Sequence, residues 1–152
     1  MKFRIIAAFC LAGMTLGCAG RPSLLPNSDP ELRKTMSELA ADGAKRHPYK
    51  SELPRGGDAL ARASVDYTFR TIQVLNYSDI DWEDVELWVN QNYVVHVPKI
   101  PHGKDGAKTL DFTMFFDDKG EYFWTDHGKN RVDQLEVLRD GKMYTIKTAP
   151  AD

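Results

Sequence analysis

From about Ser64 onward the apolar residues take on a period of two, the mark of a chain that shows alternate side chains to opposite faces of a sheet. Val65, Tyr67 and Phe69 alternate with polar residues; after Arg70 the parity slips to Ile72 and Val74. A bulge, or a break between two strands, accounts for such a slip. Further strand-like runs lie at about 85–89, 93–97, 110–116, 122–124, 132–138 and 144–146. Short strands separated by turn signals predict an all-β domain.

Turn chemistry sets the register of three hairpins. Asn90-Gln91-Asn92 reads as a three-residue loop with Asn92 in the left-handed place. It pairs Val89 with Tyr93, Leu87 with Val95 and Val85 with Val97, which gives one apolar face; a slip of one residue would mix the faces. Asp118-Lys119-Gly120 places Gly120 in the left-handed position, Phe116 opposite Tyr122, and Met114 opposite Trp124. Asp140-Gly141 is a two-residue hairpin signal that pairs Val137 with Tyr144 and Leu135 with Ile146. The architecture expected from these hairpins is an antiparallel immunoglobulin-like or fibronectin-like sandwich of about seven strands, with a small β-barrel as the alternative. The outward faces then carry Trp88 beside Val94, Glu86 opposite His96, and Phe115 near Phe123. Large apolar side chains on an outer face mark a binding site or a surface that the chain itself covers. Trp88, Val94, Glu86 and His96 are accordingly the candidate binding residues.

Residues 19–63 differ in composition: five of the eight prolines fall there. The segment reads as a tether with one helix near 30–42. Ser28-Asp29-Pro30-Glu31 supplies start signals, Leu32, Met36, Leu39 and Ala40 recur at helical spacing, Gly43 offers a C-terminal cap, and Pro48 bars continuation. A helix this short is marginal alone, so its apolar stripe is expected to dock on the β domain and to cover Trp88.

The N-terminus has a different pattern. Lys2 and Arg4 precede an apolar run over 5–16, shorter than the roughly 20 residues that span a bilayer. A basic start, a short apolar centre and small residues predict a signal peptide over 1–17. Thr15-Leu16-Gly17-Cys18-Ala19 resembles the lipobox of bacterial lipoproteins. That resemblance implies cleavage before Cys18, lipid on Cys18 as the membrane anchor and, with Ala19 following, outer-membrane sorting in a Gram-negative envelope. The expected layout is a signal peptide at 1–17, a lipid-anchored tether at 18–63 and a β domain at 64–152. Cys10 is the other cysteine, so the mature chain is left without a disulfide or a thiolate metal site.

Charge and motifs narrow the function classes. Formal net charge is −2, and no basic run is present, which argues against a nucleic-acid partner. His47, His96, His102 and His127 lie far apart, without HExxH spacing, and neither Ser64 nor Ser78 sits in a G-x-S-x-G setting. The acids around Trp82 (Asp79, Asp81, Glu83, Asp84) and around Gly120 (Asp117, Asp118, Glu121) lack calcium-loop spacing and read as solvated turn acids. No metal or cofactor is expected.

The C-terminal part, from about Ala63, is similar to a type of small exported bacterial lipoprotein. The residues that carry the likeness are Asn76-Tyr77-Ser78-Asp79, Trp82 through Asn90, Tyr93-Val94-Val95 and Arg139-Asp140-Gly141-Lys142. The resemblance implies an exported β domain and brings no activity. The function expected from the sequence is therefore a lipid-anchored, non-catalytic binding or assembly module of the cell envelope, with an envelope protein or a glycan such as peptidoglycan as partner. The competing class is a hydrolase built from distant acids and a histidine.

Overall fold

The structure, a computed structural model, describes residues 27–126 and 129–151. The signal peptide expected over 1–17 and the expected anchor residue Cys18 lie outside the described residues. Among the described residues there are seven strands: β1 Arg55–Asp66, β2 Thr71–Asn76, β3 Trp82–Val89, β4 Tyr93–Ile100, β5 Lys108–Asp111, β6 Leu135–Arg139 and β7 Lys142–Pro150. They form one sheet in the order β4-β3-β6-β7-β1-β2-β5. Every pairing is antiparallel except that of β1 with β7.

The sheet nearly closes on itself. After β5 the chain makes a 3-10 turn at Phe112–Met114 and re-enters the pairing at Phe116. Phe116 N–H donates to the Val94 carbonyl at 3.1 Å, and Val94 N–H donates to the Phe116 carbonyl at 2.9 Å. The continuation of one edge strand thus meets the other edge strand, which removes most of the free edge. Hydrogen bonding does not divide these strands into the two sheets of an immunoglobulin-like or fibronectin-like sandwich; it matches the barrel alternative.

The hairpins pair in the register that parity predicts, the third of them at Phe116 and Tyr122. Val89, Leu87 and Val85 face Tyr93, Val95 and Val97, and Val137 and Leu135 face Tyr144 and Ile146. The positive φ in the first loop falls on Asn90 (51°) and Gln91 (58°) rather than Asn92. Asn92 N–H bonds back to the Val89 carbonyl at 3.1 Å, so a type I′ turn closes the loop and Asn92 is the extra residue. Gly120 is left-handed (φ 79°) as expected, and Phe116 meets Tyr122.

The outward assignment of Phe115 and Phe123 is overturned. Both are buried in the main core, whereas Trp124, assigned inward opposite Met114, is 41% exposed. The cause is local: the 3-10 turn at Phe112–Met114 interrupts the pleat, so Phe115 and Phe116 are both buried, and on the returning segment Phe123 points inward while Tyr122 and Trp124 are exposed.

The slip after Arg70 is a break: β1 ends at Asp66 and β2 begins at Thr71. β1 also starts well before Ser64, and the expected boundary at 63/64 falls inside it. Its inward face is Ala59, Ala61, Ala63 and Val65, an alternation written mostly in alanine.

The helix, α1, spans Met36–Arg46. It starts later than the proline signal suggested, because Pro30–Leu32 makes only a 3-10 turn. Thr35 and Glu38 form a reciprocal capping box that satisfies two of the orphan donors at the helix start. Gly43 is not the cap. It lies inside the helix, where an added Cβ would stand 3.0 Å from the Phe116 Cβ, and so lets α1 approach the seam where Phe116 meets β4. Leu39 is buried, and Met36 and Ala40 pack on the main core. After α1 the chain crosses the outer face of the sheet as a strap over residues 47–54 and enters β1 beside β7.

Candidate functional site

Sequence parity brings Glu86, Trp88, Val94 and His96 together on the outer face of β3 and β4. The structure pairs Glu86 with His96 and Trp88 with Val94. It also closes that face. Trp88 and Val94 are fully buried, together with Met143, against Tyr49 and Leu138. The rings of His47 and Tyr49 stand edge-on to the Trp88 indole at centroid distances of 5.2 and 5.3 Å, and Lys50 Nζ lies 5.4 Å from the ring centre. The cover is therefore the strap, not the stripe of Leu32, Met36 and Leu39 that was expected to provide it. Those residues pack on the main core.

Two glutamates pin the strap. Glu86 accepts from Arg46 at 3.2 Å, Lys50 Nζ at 2.7 Å and the Trp88 indole N–H at 3.1 Å. Glu136, cross-strand from Trp88, accepts from Tyr49 Oη at 2.6 Å and from Arg55 at 2.5 Å. Burial, and then the Glu136 carboxylate, push the Tyr49 phenol above its ordinary range. Burial, and then the neighbouring Arg46 cation, hold His96 below the ordinary histidine value. Each carboxylate has a donor on both oxygens and is covered by side chains. What this arrangement does chemically is fasten 46–55 to the sheet, since a buried charge is tolerable only when paired and hydrogen-bonded.

An open cleft of about 580 Å³ lies at the barrel end where β1 turns into β2; its lining includes Tyr67, Arg70, Trp124, Asp126, Lys129 and Arg131. Arg70 lies over the Trp124 ring at 4.3 Å, and Arg131 over the Tyr67 ring at 5.1 Å. Backbone devices hold these groups in place. Asp66 Oδ1 accepts the N–H groups of Thr68 and Phe69 at 2.8 and 2.9 Å, so the turn delivers Arg70 in a left-handed conformation (φ 56°) that costs of order 1 kcal/mol or more. On the other side, Asn90 gathers the 131–134 segment: its Nδ2 donates to the Arg131 carbonyl at 2.7 Å, and its Oδ1 accepts from Asp133 and Gln134 N–H at 2.9 and 3.0 Å. Val132 N–H donates to the Tyr67 hydroxyl at 3.1 Å.

The sequence missed this cleft. It shows no basic run, because Arg70 and Arg131 are brought together only by the fold, and Trp124 was assigned to the inner face. The parity slip at Arg70, between two strand-like runs, is the one local signal of an arginine displayed on a turn. The acid groups noted in the sequence serve locally. Lys99 at 2.6 Å, then His102, hold the Asp81 carboxyl well below its usual range. Asp117 Oδ1 accepts the N–H groups of Lys119 and Glu121 at 2.9 and 2.8 Å and closes its own loop. Among the described residues, no three His, Cys, Asp or Glu side chains converge as a metal site, and no helix is long and apolar enough to cross a membrane. Comparison with protein-family models, curated proteins and solved structures finds no match for the chain.

Proposed function

We propose that the chain is a lipid-anchored, non-catalytic binding module of the cell envelope, tethered through Cys18 and working through the Trp124 cleft. One contrast carries this reading. The carboxylates of the candidate face on β3 and its neighbour, Glu86 and Glu136, are buried and engaged by donors on both oxygens, whereas the open cleft presents aromatic rings and cations with the one acid Asp126. Catalysis by a carboxylate needs access to the reacting atom; binding needs only a concave surface with a few placed polar groups. Ala19 after Cys18 favours the outer membrane of a Gram-negative envelope. A glycan ligand is the second reading. It transfers from Trp88, which is buried, to Trp124, whose exposed indole can stack on a sugar ring.

The anchor is tested with Cys18→Ser. The wild-type protein is expected to incorporate labelled fatty acid and to partition into detergent, and the variant to do neither. A variant that keeps both properties overturns the tether.

A further inference from the structure

The exposed aromatic residues and cations of the cleft share their barrel end with the point at which the tether joins the domain. Asn27 Nδ2 donates to the Phe69 carbonyl at 3.3 Å. The next two residues are fixed along β5: Ser28 Oγ accepts from Asp111 N–H at 3.1 Å, Asp29 N–H donates to the Thr109 carbonyl at 3.0 Å, and Thr109 N–H donates to the Asp29 carboxylate at 2.8 Å. Phe69, 65% exposed, is the neighbour of Arg70, which lies on Trp124. We propose that this end, with Phe69, Arg70, Trp124, Lys129 and Arg131, docks on the anionic lipid headgroups of the membrane that holds the anchor. The proposal rests on the lipid tether at Cys18.

Chain length favours this end. Cys18 lies nine positions before Asn27, and such a segment reaches at most about 30 Å when fully extended. An eight-residue strand such as β3 or β4 is itself about 26 Å long. The cleft end is thus held within reach of the bilayer surface, while the opposite end, with Tyr77 and the Asp140-Gly141 turn, stands a strand length farther away. The chemistry is complementary at the near end. Tryptophan and other amphipathic rings favour the headgroup layer, and Lys and Arg are drawn to anionic lipid. Arg70, Lys129 and Arg131 outnumber the one acid of the cleft lining, Asp126, and the flanking acids Asp66 and Asp133 belong to the turns beside it. Each lysine or arginine near such a surface favours docking about fivefold, so loss of Lys129 and Arg131 together is expected to lower the docked-to-undocked ratio roughly thirtyfold.

The readout is built into the protein. Trp82 and Trp88 are buried and Trp124 is not, so quenching by aqueous acrylamide reports on Trp124. Acylated protein is reconstituted on vesicles of phosphatidylglycerol or of phosphatidylcholine, sedimented, and quenched. The expected result is protein in both pellets, with Trp124 shielded from acrylamide on phosphatidylglycerol alone. Bromine-labelled acyl chains should quench it there instead. The double variant Lys129→Glu, Arg131→Glu should still sediment but lose the shielding, as should the wild type in about 0.5 M salt, where screening shortens the range of the attraction to a few ångströms. Protein in both pellets with equal quenching overturns the docking and leaves the tether standing. Protein in the supernatant overturns the tether and this orientation with it. Shielding by soluble peptidoglycan fragments but not by phosphatidylglycerol assigns the cleft to a glycan and also overturns the proposal.

Discussion

Two tryptophans of this molecule have similar neighbours and opposite fates. Trp88 has a lysine over its ring, histidine and tyrosine at its edges, and carboxylates on either side. Trp124 has an arginine over its ring, a tyrosine at its edge, and an acid in the same cleft. The first is sealed and the second is 41% exposed. The difference lies in the acids. Glu86 and Glu136 are rooted in the sheet and draw the cations and Tyr49 of one continuous strap down over the indole. Around Trp124 the cations come from separate turns, each fixed by its own backbone contacts, and no common segment is pulled across the ring. The aromatic-and-cation motif is thus a lid where buried carboxylates tie it down and an open surface where they do not.

The largest test of that contrast is truncation of each indole. Trp88→Ala should cost about 3–5 kcal/mol, as removal of a buried aromatic does, whereas Trp124→Ala should stay within about 0.5 kcal/mol, the range of surface changes. Urea midpoints read both, and equal losses would erase the distinction. Tyr49→Phe sharpens it: the ring stays against Trp88 while Glu136 loses one donor. Because Arg55 still holds Glu136, a loss of about 1–2 kcal/mol is expected, with protease cleavage of the strap rising in step. A variant as stable as wild type would show that ring packing alone closes the lid. The smallest effect is one of pH. His96 has a lowered pKa in the folded state, so the unfolded chain binds the proton more readily and stability falls with acid. The contribution is complete above the ordinary histidine value of about 6.5 and is lost as pH drops through the folded value. His96→Gln should flatten the fall in unfolding midpoint between about pH 7 and pH 5; an unchanged slope assigns that fall to other groups.

What the sequence made legible was local. The β3–β4 and β6–β7 registers followed from side-chain parity and turn residues a few positions apart, and the same parity put Glu86 opposite His96. Three features escaped for physical reasons. The inward face of β1 is mostly alanine, so a search for large apolar alternation starts the strand at Ser64 instead of Arg55. The 3-10 turn at Phe112–Met114 carries no glycine or proline to announce it, and it reversed the assignment of Phe115, Phe123 and Trp124. The proline at Pro30 outweighed the capping box Thr35-Met36-Ser37-Glu38, which was equally readable. The cleft was illegible because Tyr67, Arg70, Trp124 and Arg131 meet only through long-range pairing.

The parallel pairing of β1 with β7 also sets an order in time. Arg55 and Met143 are partners, and closing a loop of that length costs about 4 kcal/mol of chain entropy. The β3–β4 and β6–β7 hairpins close over a few residues and can form on the microsecond scale, but β1 lacks its second neighbour until the final strand has been made. Synthesis proceeds at about 5–20 residues per second, so β1 waits for seconds after it emerges before β7 can pair with it. Under the tether reading, that delay hands an export machinery a chain that has not yet locked.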